Sequence, residues 1–165
     1  MRFLAAVCAL AMAAVWAGPA DAEDDPPFLA VYGGASDIFD DYTAAMFGVE
    51  YRSDFKDLIL TPMVGGFVTT DGSLYGYGGV YVDFFFGKRV VFRPSFAVGA
   101  YEEGSGKDLG GVVEFRSAVA LDWRFDDRSR LGIEFTHISN ASIYDRNPGM
   151  ETLTVNYSIP LDSLY

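Results

Sequence analysis

The 165-residue sequence is poor in the residue types on which several classes of protein depend. One cysteine and one histidine cannot assemble the N/S ligand set of a usual zinc site, nor a disulfide framework. Twelve Lys and Arg stand against 23 Asp and Glu, a formal charge of −11, and the basic residues form no run. Gripping a nucleic-acid backbone requires clustered cations, so nucleic acid is excluded as a partner. No apolar stretch reaches the roughly 20 residues of a membrane-crossing helix. There is also no heptad repeat, no low-complexity tract and no convincing helix-period segment, which excludes coiled coils and helical bundles.

The longest apolar run is N-terminal. Arg2 precedes Phe3 to Trp16, then Gly18-Pro19 and Ala20-Asp21-Ala22, the layout of a secretory leader with a small-residue cleavage site. Residues 1–22 are expected to be a signal peptide and residues 23–165 one exported domain. Cys8 falls inside the leader, so the exported domain would hold no cysteine and must gain its stability without disulfides.

What the chain has instead is glycine (18 residues), aromatics (16%) and a strand-like rhythm. Turn-forming clusters at 37–41, 53–57, 70–72, 86–88, 102–108, 126–129 and 142–149 divide it into eight expected strands. These span 28–36, 42–52, 58–69, 73–85, 89–101, 109–125, 130–141 and 150–161, mostly the length a tilted membrane-crossing strand requires, about 9–11 residues. In the sixth, Val113, Phe115, Ser117, Val119, Leu121, Trp123 and Phe125 alternate with Glu114, Arg116, Ala118, Ala120, Asp122 and Arg124, giving one greasy and one charged face. A soluble barrel would turn the greasy face inward, whereas an outer-membrane barrel would turn it toward lipid. Strand length, even strand count, export and the aromatic Tyr165 favour an all-β, eight-stranded antiparallel transmembrane barrel of the bacterial outer membrane. A periplasmic carrier of an apolar ligand would invert the faces.

On the membrane reading Glu50, Arg52, Asp83, Glu114, Arg116, Asp122, Arg124 and Glu134 face the lumen and compensate one another there as scaffold. Gly104-Ser105-Gly106-Lys107-Asp108 lacks the spacing of a phosphate loop and reads as a turn. The Asn-x-Ser triplets at Asn140 and Asn156 carry no assignment.

The last hairpin is more specific. His137 and Ser139 share the greasy face of Leu131, Ile133 and Phe135, and Glu151 shares that of Leu153, Val155, Tyr157 and Ile159, so three polar residues intrude on one apolar wall. A turn centred on residue 145 would place Ser139 opposite Glu151, with Glu151 diagonal to His137 at roughly 7 Å between backbones, within side-chain reach. A hydrogen-bonded Ser–His–Glu chain is then feasible. A neutral imidazole would take the proton of a serine hydroxyl, and a carboxylate on the far ring nitrogen would orient that imidazole. Each residue also has an ordinary role, as a strand histidine, a turn serine and an interfacial glutamate, and the residues alone leave the catalytic and structural readings level.

His137-Ile138-Ser139-Asn140-Ala141, Asn147-Pro148-Gly149-Met150-Glu151 and Tyr157-Ser158-Ile159-Pro160-Leu161 resemble the catalytic hairpin of the lipid A 3-O-deacylase (PagL) family of Gram-negative outer membranes. The resemblance implies an eight-stranded barrel with a Ser-His-Glu triad on its outer wall, hydrolysing the ester-linked 3-hydroxyacyl chain at position 3 of lipid A. Ser139 would be the nucleophile, His137 the general base and Glu151 its orienting acid. Asn147 would donate to the oxyanion, with Asn140 beside it on the substrate-binding side. Ser142 stands where the family pattern has glycine, so a positive φ there would be less accessible. The implied partner is lipid A or lipopolysaccharide in the outer leaflet; no metal or cofactor is required, nor an oligomer. The acidic balance opposes a phosphorylated glycolipid, and Lys107, Arg130, Arg146 or divalent ions are expected to offset it. The second reading is a non-enzymatic structural or adhesive outer-membrane barrel.

Overall fold

The computed structural model describes residues 25–41, 43–55 and 57–164; the expected leader over 1–22 and Tyr165 lie outside them. The strands are β1 (Phe28–Ser36), β2 (Ala44–Arg52), β3 (Thr61–Thr69), β4 (Leu74–Tyr81), β5 (Phe84–Phe86), β6 (Val90–Glu102), β7 (Val113–Arg124), β8 (Arg130–Ser139) and β9 (Met150–Pro160). All pair antiparallel with sequence neighbours, and β1 also pairs with β9, with Phe28 opposite Pro160 and Ser36 opposite Thr152. Strands β4 and β5 both lie against β6 in one continuous register. They therefore form one stave, and the sheet closes as the expected eight-stranded barrel. The interruption at Val82 and Asp83 has a local cause. Both residues face the Arg93-Pro94 step of β6; Val82 donates to the Pro94 carbonyl at 3.1 Å, but Pro94 has no N–H to return.

Side-chain parity shows which face is inside. Glu50, Arg52, Arg93, Glu114, Arg116, Asp122, Arg130 and Glu134 are buried, while Phe47, Val49, Leu121, Trp123, Ile133, Leu153 and Val155 are exposed. The polarity is that of a soluble barrel turned inside out, a wall suited to hydrocarbon. The inverted carrier reading does not survive this parity.

Inside, most of the charges pair with one another; Glu114, expected to be compensated with the rest, is buried with neither carboxylate oxygen hydrogen-bonded among the described residues. Arg52 Nε donates to Glu50 Oε1 at 2.7 Å, and Glu50 Oε2 accepts from the Tyr77 hydroxyl at 2.7 Å. Arg93 pairs with Asp122, and Arg116 with Glu134. Arg130 bridges Asp83 Oδ2 at 2.7 Å and Asp25 Oδ2 at 2.8 Å. In a closed interior each charge needs such a partner, because removing one would leave the other buried with its desolvation cost uncompensated. Toward the other end a second layer of Phe67, Tyr75, Tyr77 and Tyr101 packs with Met46, Ile138 and Met150, so the lumen is plugged.

The expectation that Arg130 lies near a bound headgroup is overturned by this arrangement. It is fully buried in the lumen, seven residues along β8 from His137, held by the two carboxylates. The sixth expected strand is also shorter than foreseen, since 109–112 belong to the loop after β6. The β1–β2, β3–β4, β6–β7 and β8–β9 connections share one end of the barrel, which we call the loop end.

Candidate active site

Strands β8 and β9 alternate buried and exposed residues along their full length, which puts His137, Ser139 and Glu151 on the outer wall at the loop end. Their register is offset by two residues from the symmetric turn expected. His137 pairs with Glu151, and Ile138 with Met150. A shift of two preserves the face of every side chain, and it brings the imidazole and carboxylate directly opposite each other instead of on a diagonal. His137 Nδ1 lies 2.9 Å from Glu151 Oε1.

That contact uses the ring nitrogen nearer the backbone, so Nε2 stays free. The ring edge carrying Cε1 and Nε2 faces Gly149, where an added Cβ would lie 3.1 Å from Cε1 and 3.9 Å from Nε2. Continued one step, the register sets Gly149 opposite Ser139, so the free nitrogen points to the row that holds the serine. Ser139 is half-buried on this wall and, among the described residues, its Oγ engages no hydrogen-bond partner. The His137 side chain is 47% exposed and that of Glu151 27%, so a molecule arriving laterally along the wall meets the imidazole.

The 140–149 loop is ordered by one buried amide. Asn140 Nδ2 donates to the Leu109 carbonyl at 2.8 Å and the Arg146 carbonyl at 2.7 Å, while its Oδ1 accepts from the Ser142 N–H at 3.0 Å. Its backbone N–H donates to Asn147 Oδ1 at 3.0 Å. Since an N–H must meet the oxygen of the Asn147 amide, Nδ2 is the end left outward; it approaches Ser142 Oγ at 3.4 Å and can donate to a developing negative charge. Asn140, grouped with Asn147 from the sequence, has its side-chain amide engaged by Leu109, Arg146 and Ser142, and its backbone N–H holds the Asn147 side chain. Ala141 and Ser142 have φ of 52° and 62°, so the left-handed backbone expected to suit glycine is taken up here by serine. The Ser142 N–H is committed to Asn140.

Two neighbours of the site were not apparent as site residues. The β6–β7 loop supports the 140–149 loop through Leu109 and through Arg146 Nη1 on Asp108 Oδ2 at 2.7 Å, and the first residue of β7 adds the Val113 N–H, which donates to the Tyr144 hydroxyl at 3.2 Å. The β1–β2 loop reaches the site from the other side, where the Ile38 N–H donates to the Glu151 carbonyl at 3.2 Å. An apolar pair, Ile38-Phe39, inside an otherwise acidic turn was the available signal. Of the expected counter-charges, Lys107 is held by Asp37 at 2.8 Å and Asp40 at 2.7 Å, and Arg146 is the cation exposed on the site's own loop.

Comparison with known proteins bears on the fold and the family. Residues 45–160 match the sequence profile of the family described as lipid A 3-O-deacylase (PagL). A segment of 78 residues is 27% identical to lipid A deacylase PagL of Bordetella bronchiseptica; it covers 47% of this chain but 39% of that relative. The crystal structure of the outer membrane enzyme PagL superposes with a TM-score of 0.66 at 17% identity, covering 81% of this chain and 99% of that one. A structure from the de novo design of transmembrane β-barrels superposes with a TM-score of 0.53 at 12% identity, covering 81% and 97%. With the profile match extending over well over half of its length, and with the barrel of an outer-membrane protein, the chain belongs to the lipid A 3-O-deacylase (PagL) family.

Proposed function

We propose that the protein, exported by a leader over residues 1–22, is an outer-membrane ester hydrolase that removes the ester-linked 3-hydroxyacyl chain at position 3 of lipid A. The observation that carries the reading is the 2.9 Å contact of His137 Nδ1 with Glu151 Oε1 on the lipid-facing wall, beside a serine on the same face. Glu151 holds the imidazole with Nε2 unprotonated, and Nε2 takes the Ser139 proton as Oγ attacks the ester carbonyl. Asn147 Nδ2 donates to the oxyanion of the tetrahedral intermediate. Collapse passes the proton from His137 to the leaving sugar oxygen and leaves the acyl group on Ser139; water, deprotonated by the same nitrogen, then releases the hydroxy fatty acid.

The site's position suits the substrate. An acyl ester of a glycolipid lies near the boundary of headgroup and hydrocarbon, so the substrate reaches a lateral site by diffusion within its own leaflet, and a plugged lumen is no obstacle. Folded protein in detergent, mixed with lipid A, should reduce the substrate mass by one 3-hydroxyacyl group, and Ser139→Ala should leave the spectrum unchanged. An unchanged spectrum with the wild type, across detergents and divalent-ion conditions, would return the protein to the structural barrels.

A further inference from the structure

The β1–β2 loop does not stand free at the rim. Lys107 Nζ ties it down through Asp37 at 2.8 Å and Asp40 at 2.7 Å, and the Ile38 N–H ties it to the Glu151 carbonyl. So anchored, it carries Phe39 past the edge of β9 to β8, where the Phe39 and Phe135 ring centroids lie 6.3 Å apart at 46°. Both rings stay on the outer wall, Phe39 being 75% exposed and Phe135 37%. A large exposed aromatic held this firmly is a surface for a ligand rather than a core contact.

The register gives that surface its place. Phe135 is on the same face as His137 and Ser139 and pairs with Leu153, one step below the His137–Glu151 row toward mid-barrel. Phe135 lies four positions from Ser139, roughly 13 Å along a strand. Longer loops mark the outer side of such barrels, so the aromatic pair lies on the hydrocarbon side of the serine. An acyl chain whose ester carbonyl rests at Ser139 must run down this wall, and a long chain meets both rings where a short one ends before them.

Resting on the hydrolase reading above, we infer that Phe39 and Phe135 form the rest for the scissile acyl chain and set the preference for chain length. The gain cannot be hydrophobic burial, because the chain leaves hydrocarbon for hydrocarbon; it comes from contact and alignment that keep the ester at the serine. A purely structural role, with Phe39 shielding Glu151 from lipid, predicts a different signature. Loss of shielding would disturb the carboxylate for every substrate alike, whereas loss of an acyl rest penalises long chains alone.

The test compares p-nitrophenyl butanoate with p-nitrophenyl tetradecanoate in one detergent, using the full chain and its Phe39→Ala and Phe135→Ala variants. The ratio of kcat/KM for the long ester to that for the short one should fall about tenfold in each variant, mainly through KM. The double variant should be little worse, because the two rings make one surface. Phe39 lies in a loop outside the strand ladder, so Phe39→Ala keeps the test open should Phe135→Ala fail to fold. An unchanged ratio, whether both rates hold or both fall together, overturns the inference while leaving the hydrolase reading standing. Absence of any Ser139-dependent cleavage by the wild type, of either ester or of lipid A, removes the hydrolase reading and this one with it.

Discussion

Gly149→Ala tests the site with one added methyl group. Gly149 has φ of 71°, in the left-handed region that costs an L-residue about 1–2 kcal/mol. The new Cβ would sit 3.1 Å from His137 Cε1, whereas carbon atoms rest at about 3.5–4.0 Å. The ring must therefore yield by roughly half an ångström, either loosening the Glu151 bond or swinging Nε2 from the serine row. A misplacement of about 1 Å costs on the order of 10²-fold in rate, so deacylation should fall about tenfold. Gly87 supplies the control. Its φ is 67°, and an added Cβ there meets nothing within 4 Å. Gly87→Ala should lose the same stability in thermal unfolding and keep its deacylation rate. The measurements are mass-spectrometric deacylation rates in detergent, with heat-modifiable gel mobility reporting the folded barrel. If Gly149→Ala deacylates as fast as Gly87→Ala, the ring orientation derived above is wrong.

Ser139→Ala and His137→Ala should each bring deacylation to near background and combine with little further loss, since they act as a unit, while Glu151→Ala should leave a measurable residual rate; near wild-type rate in folded Ser139→Ala would remove the nucleophile assignment. Asn147→Ala should lower turnover on the order of 10²–10³-fold, and Ser142→Gly should raise thermal stability by about 1 kcal/mol by relieving a left-handed serine; a stability loss in Ser142→Gly would show that strain is not what that position stores. The Lys107 latch should open at both pH extremes. Its hydrogen bond and charge hold Asp40 below the usual carboxylate range, so that contribution is present above the ordinary Asp value and lost as pH falls through the depressed one. Desolvation lowers the Lys107 pKa, but its bonds to Asp37 and Asp40 outweigh this and leave it raised, so its contribution persists below the ordinary Lys value and is lost as pH rises through the raised one. Limited proteolysis of the 37–43 loop should be slowest near neutrality and fast at any pH in Lys107→Met; a pH-independent cleavage rate in the wild type would contradict the latch.

Much of the wall was legible in the sequence, because strand parity is a local property. Val119, Leu121 and Trp123 had to share a face opposite Ala118, Ala120 and Asp122 whatever the barrel's dimensions, and the same period placed His137, Ser139 and Glu151 on one side. Pairing was less legible. A turn centred on residue 145 assumes a symmetric loop, but the buried amide of Asn140 and the left-handed residues Ala141, Ser142 and Gly149 fold 140–149 asymmetrically, which slides the register by two and seats Glu151 opposite His137.

The tertiary structure alone decided the rest, because those features depend on residues brought together by barrel closure. Arg130 read as a free cation until Asp25 and Asp83, distant in sequence, met it in the lumen. Asn140 read as a neighbour of Asn147 on the substrate-binding side until hydrogen bonding to the 103–112 loop and to Arg146 engaged its amide, while the donor end of Asn147 was left outward. Phe39 stands 96 residues before Phe135, and only the closing pair of β1 with β9 carries its loop onto β8. Alternation along a strand is set by backbone geometry that each residue carries with it, whereas neighbours across a barrel are set by which strands close on which, and no local stretch of sequence contains that.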